Sequence, residues 1–184
     1  MTTSLQGHLL VASPHLADPN FFRTVILMVQ HDEEGAVGLV LNRRTPSSLS
    51  DVWEMIGEGP CPDEAALYLG GPVSGTLLAL HQAAEYADAT VFPGLFVASQ
   101  RQQLQQLLRR IDLPFRLFLG YAGWGAGQLE GELRAGGWLI ATAAVEAAFY
   151  PGDDLWEQTV DRIGAQILRP VLGNIPSPED PRVN

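Results

Sequence analysis

The sequence contains no lysine: all 11 basic residues among its 184 are arginine. That absence removes the phosphate-binding lysine of P-loop and kinase sites, every Schiff-base enzyme and every serine–lysine dyad, because each uses a primary amine. The single cysteine, Cys61, excludes an internal disulfide scaffold. Together with four histidines (His8, His15, His31 and His81) at no ligand spacing, it leaves no thiolate zinc site. Long apolar runs are also missing. Trp138–Tyr150 is interrupted by Thr142 and Glu146 and falls short of the about 20 residues that cross a bilayer. The first residues carry no basic region, and Leu9–Ala12 is shorter than the about 7–15 residues of a signal-peptide core. The expectation is a cytoplasmic protein that does not associate with membranes. Basic charge is scarce as well, 11 residues against 21 acidic ones for a net charge of −10. Direct nucleic-acid binding, which needs clustered cations to neutralise phosphates, is therefore not expected, although Arg43/Arg44 and Arg101/Arg109/Arg110 form small local clusters.

What is present is enough apolar material for one compact domain, 46% of residues against 17% charged. Short strands are predicted over Gly7–Ala12, Arg23–His31, Ala36–Asn42, Ala66–Leu69, Leu77–His81, Leu95–Ala98, Phe115–Tyr121 and Trp138–Thr142. The polar turn Asp32–Gly35, with glycine free to take a left-handed position, makes the second and third a hairpin. Helices are predicted over Ser48–Ile56, over Gln100–Ile111 with Ser99 as its cap, over Gln128–Ala135, over Ala143–Tyr150 and over Leu155–Leu168. Several connections are too short for helical crossovers, so the sheet reads as mixed and mostly antiparallel, with helices packed against it. The domain takes in residues 1–175, and the proline-rich residues 176–184 read as a flexible tail.

The most unusual stretch is Gly120–Glu132. A strand, a glycine-rich loop over Gly123–Gly127 and a helix from Gln128 would present free amides and a helix dipole to an anion, with Trp124 as a flat wall. The spacing fails the dinucleotide pattern, because Glu130 stands where that motif wants Gly or Ala. The competing reading makes Trp124 buried core and lets the carboxylates cap amides. Gly70–Gly75 offers a second candidate cradle, and it too reads equally as a turn. His31, beside Asp32, Glu33 and Glu34, has the letters of an acid–base pair or of an acidic hairpin tip. The candidate ligand-binding set is thus His31, Gly70, Gly71, Gly123, Trp124, Gly125, Gly127, Gln128 and Glu130, with no catalytic residue, metal or cofactor assigned.

Taken in order, Gly7–Pro14, Asp18–Phe22, His31 with Gly35–Arg43, Gly70–Val73, Phe118–Trp124, Gly127–Glu132 and Trp138–Leu139 resemble the YqgE/AlgH family of bacterial proteins. The resemblance implies an α+β domain with a curled, barrel-like sheet flanked by helices. It implies no established activity, catalytic residue or cofactor, and the family's name derives from regulation of alginate synthesis. We find no helix-turn-helix with a basic recognition helix to support direct action on DNA. The reading is a non-catalytic domain that binds an unidentified protein or small-molecule partner and regulates indirectly. An enzyme acting on a phosphate-bearing metabolite and a direct transcriptional regulator remain alternatives, and the oligomeric state is open.

Overall fold

The computed structural model describes residues 4–56, 66–110 and 112–172; Cys61 and residues 176–184 lie outside them. Ten strands alternate with five helices: β1 His8–Ala12, β2 Val25–Asp32, β3 Gly35–Val40, β4 Arg44–Ser48, α1 Leu49–Ile56, β5 Ala66–Leu69, β6 Val73–His81, β7 Ala89–Phe92, β8 Leu95–Ala98, α2 Arg101–Leu108, β9 Phe115–Gly125, α3 Gln128–Arg134, β10 Trp138–Thr142, α4 Val145–Ala148 and α5 Leu155–Leu172. The sheet runs β10-β1-β2-β3-β9-β6-β8-β7, with β5 set between β4 and β9. Every pairing is antiparallel except β5 with β9. The fold is therefore α+β, with a mostly antiparallel sheet that curls until Gln6, just before β1, bonds the carbonyls of Thr90 and Val91 on β7. That contact is made by a side chain rather than a strand ladder, so the sheet stays open.

Alternation along β6 and β9 serves two apolar layers. Leu78, Leu80 and Phe118 point into the curl with Leu9, Leu27, Leu39 and Val97. Leu77, Ala79 and Leu117 point outward to meet Leu49 and Val52 of α1 and Leu104, Leu107 and Leu108 of α2. On the far side α5 covers β1, and Trp156 Nε1 donates to Ala12 O at 2.8 Å. Arg116, 6% exposed, lies 3.9 Å over the Tyr68 ring and donates to the carbonyls of Leu41, Ala148 and Tyr150, which ties the α4 region to the sheet. Among the described residues no helix is long and apolar enough to cross a membrane.

Several sequence-based boundaries need correction. The expected loop Gly123–Gly127 is strand as far as Gly125, because Gly35–Gly38 supplies a ladder that pairs Gly35↔Gly125 through Gly38↔Ala122. The hairpin is as expected, and Gly35 has φ 144°, where a Cβ would run into the Trp124 carbonyl. Strand β4 lies outside the expected strands, since Pro46 and the two serines after it have little strand propensity; pairing with β5 holds it extended. Ser99 does not cap α2. The N-cap position is Gln100, with no side-chain cap bond, and Asp88 fixes the approach to the helix by accepting the Ser99 and Gln100 N–H groups at 2.6 and 2.7 Å. The helix expected over Ala143–Tyr150 shrinks to the single turn of α4.

Candidate functional site

Across β2, β3 and β9 the register aligns His31, Ala36 and Trp124, which places all three side chains on one face of the sheet. Helix α3 lies over this row, with Leu129 buried beneath it. Its polar residues are consumed in fixing it there. The Leu5 N–H donates to His31 Nδ1 at 2.9 Å, so that nitrogen is the acceptor, and Nε2 carries the hydrogen donated to Glu130 Oε1 at 3.1 Å. Glu130 is held below the usual carboxylate range by its own backbone N–H and by the His31 hydrogen bond. Two residues on, Glu132 Oε2 accepts both indole N–H groups, from Trp124 at 3.0 Å and from Trp138 at 2.8 Å. Gln128 donates to the other Glu132 oxygen and accepts the Gly125 N–H. Phe21 stacks on Trp124 at 6.0 Å and meets Trp138 edge-on at 5.5 Å.

The candidate residues therefore do not share one cleft. His31, Gly127 and Glu130 line a concavity of about 500 Å³ with Asp32, Glu33 and Arg134. Gln128 lines another of about 470 Å³ beside Phe21 and Glu132. Trp124, 5% exposed, lies in the core. The segment is not a free loop: residues 122–125 pair with β3, the Gly125 N–H is taken by Gln128, and the seven-residue α3 begins at Gln128 with Gly127 in its N-cap position. Among the described residues no group of three or more His, Cys, Asp or Glu is arranged to hold a metal ion.

Gly70 and Gly71 sit on the opposite side of β9. Gly70 donates to Leu119 O and accepts from the Val40 N–H, both at 2.8 Å. A Cβ on Gly70 would strike the Gly120 carbonyl, and one on Gly71 would strike Tyr121, so these glycines let two backbones cross at close range. The crossing forms the floor of a third concavity, of about 580 Å³, whose lining is mostly carbon: Val52, Leu69, Pro72 and Leu119, with Asn20, Ser74 and Thr76 at the edge. Among the described residues no charged side chain lines it. Leu69 is 42% exposed, and the neighbouring Val73 is 39% exposed.

One wall is held rigid by side chains acting on carbonyls. Asn42 accepts the Val25 N–H and donates to Arg23 O, while Arg43 donates to the carbonyls of Pro19, Asn20 and Phe22. Asp18 Oδ1 takes the Asn20 N–H at 2.7 Å. Within this clamped loop Arg23 has φ 52°, and Phe22 is half exposed with the Arg23 guanidinium 5.3 Å over its ring. Asn20 of this clamped loop thus meets Val52, Leu69, Gly71–Pro72, Ser74–Thr76 and Leu119–Gly120, far apart in sequence, around one apolar groove. Sequence reasoning named the Gly70–Gly75 stretch there, Gly71 and Pro72 included, but missed Asn20, Val52 and Leu69. An apolar residue left exposed at a strand end has no local signature that separates it from core.

Comparison with known proteins follows the same lines. The profile of a family described as AlgH-like matches residues 9–168. A UPF0301 protein of Myxococcus xanthus is 39% identical, over 92% of this chain and 97% of its own length. The UPF0301 protein CT0663 of Chlorobaculum tepidum is 38% identical, over 97% and 95%. Among solved structures, the solution structure of the AlgH protein from Pseudomonas aeruginosa superposes with a TM-score of 0.73 at 32% identity, covering 97% of both chains. The crystal structure of protein DIP2367 from Corynebacterium diphtheriae gives 0.68 at 27% identity, over 88% of each.

Proposed function

The chain belongs to the AlgH-like family, and within it we propose that this protein is a non-catalytic binding protein that docks an apolar segment of a protein partner in the groove floored by Gly71 and Gly120. The observation that carries this reading is the carbon-lined groove itself. Concave, uncharged surface with aliphatic side chains left in water is the kind of surface that gains most free energy from being covered. The clamped 18–24 loop supports it, because a preorganised wall lowers the ordering cost of binding. Any effect on gene expression is then exerted through the partner, in keeping with the net charge of −10.

A phosphate-metabolite enzyme is less well supported. The His31 cleft carries three carboxylates, Asp32, Glu33 and Glu130, against the single cation Arg134, and Glu130 is held in its ionised form, so an anion meets net repulsion there. Both His31 nitrogens are already bonded, which leaves the ring no proton-transfer vacancy. The test is to select peptides from a random display library and map the best one by amide shifts. The reading expects shifts at Leu69, Gly71 and Ser74–Thr76 that Leu69→Asp abolishes while the melting curve is kept. Shifts clustered at Glu33, Gly127 and Arg134 would sink it in favour of the polar cleft.

A further inference from the structure

The main path of the sheet, β10 to β7, has two ends, and they are treated differently. At the β7 end, Gln6 Nε2 donates to Thr90 O at 2.9 Å and Val91 O at 3.2 Å, and the backbone at Gly7 packs on Phe92. At the other end β10 pairs with β1 alone, in unbroken register from His8↔Thr142 to Ala12↔Trp138. Ser13 donates to Gly137 O at 2.9 Å, and strand alternation then makes Leu139 and Ala141 the residues that bond β1. The N–H and C=O groups of Trp138, Ile140 and Thr142 point away from β1. Among the described residues nothing bonds them.

Exposed edges are ordinarily blunted by lysine, proline, a bulge or an inward charge. Strand β10, Trp138–Thr142, carries none of these, and Ile140 is 45% exposed. We propose that β10 pairs antiparallel with β10 of a second copy of this chain, about a two-fold axis through Ile140, so that one sheet runs through both protomers. The sequence around the axis suits its own reversal. Gly136 and Gly137 of one copy fall beside Ala144 and Ala143 of the other, all small, so no bulky side chain obstructs the ends of the ladder. Two chains of charge −10 repel at long range, and an uncharged edge is where their close approach costs least. A five-residue edge spans about 17 Å, which places the contact among small, concentration-dependent interfaces.

Sedimentation equilibrium over a roughly hundredfold dilution series tests this. The wild-type chain is expected to move from dimer to monomer, with the Ile140 and Thr142 amides protected from hydrogen exchange at high concentration and released on dilution. Ile140→Pro removes an N–H that β1 does not use, and Ile140→Lys sets like charges opposite each other across the axis. Both variants are expected to stay monomeric throughout, with the wild-type far-ultraviolet spectrum. A wild-type chain that is monomeric at every concentration overturns the proposal, as does a dimer that persists in Ile140→Lys. Protection of the Ile140 and Thr142 amides in a monomer also overturns it, by showing that another part of the same chain, such as residues 173–184, covers the edge.

Discussion

Glu132→Ala removes the one acceptor shared by two buried indoles, and its cost can be worked from the contacts. Trp124 and Trp138 are each 5% exposed and each donate to Glu132 Oε2, at 3.0 and 2.8 Å. Leaving a buried donor unpaired costs about 1–3 kcal/mol, so two give about 2–6 kcal/mol. The concavity of about 470 Å³ beside Glu132 admits water, which keeps the loss in the lower part of that range, about 2–3 kcal/mol. For a chain of this length each kcal/mol moves the thermal midpoint by about 2–4 °C, so the variant is expected to melt about 4–12 °C lower. Glu132→Gln keeps an acceptor for the indoles but turns an amide donor toward the Gln128 donor, and it is expected to lose about 1 kcal/mol. Calorimetry, with tryptophan fluorescence reporting the indole environment, reads both. A Glu132→Ala midpoint within about 1 °C of wild type would refute the claim that these hydrogen bonds hold α3 on the sheet.

Other consequences follow from the same geometry. Gly120→Ala, at φ 71° with its Cβ pressed on the Val73 carbonyl, is expected to cost about 2 kcal/mol or more in urea unfolding, whereas Gly125→Ala, whose Cβ meets nothing within 4 Å, is expected to stay within about 0.5 kcal/mol. His81 is fully buried, no described residue makes a well-formed hydrogen bond to either ring nitrogen, and burial pushes its pKa below the usual imidazole value against the pull of the nearby Ala83 backbone, Asp88 and Glu85. The unfolded chain therefore takes up this proton first, so stability is complete above about pH 6.5 and falls as pH drops through the folded pKa; His81→Leu is expected to raise the midpoint and flatten that acid limb in melts between about pH 7 and 5. Arg116→Met leaves the carbonyls of Leu41, Ala148 and Tyr150 without their donor and is expected to cost about 2–4 kcal/mol, with hydrogen exchange rising first in the α4 region.

How far the letters reach depends on whether the deciding contact is local. The β2–β3 hairpin is legible because an apolar run, a polar turn ending in Gly35 and a second apolar run follow one another directly. The leucines of α2 recur at three- and four-residue spacing for the same reason. Strand β9 runs past its expected end because glycines with weak strand propensity find a partner in β3, about ninety residues upstream. The His31–Glu130 bond joins residues 99 apart, and the Asp88 carboxylate that fixes the chain leading into α2 lies 11 residues before Ser99. The candidate site divides along the same line. Gly71 draws notice by its letter alone, while Leu69 and Val52 are ordinary aliphatics whose exposure is decided by what the folded chain leaves uncovered.

The central claim is that the apolar groove, rather than the polar cleft at His31, is where this protein meets its partner. A photo-reactive side chain placed at Ser74, on the groove edge, and separately at Glu33, in the polar cleft, tests it in living cells of the native host. The account predicts one discrete polypeptide adduct from position 74 that disappears when Leu69→Asp is added, and none from position 33. An adduct from position 33 alone, or one from position 74 that survives Leu69→Asp, would contradict it.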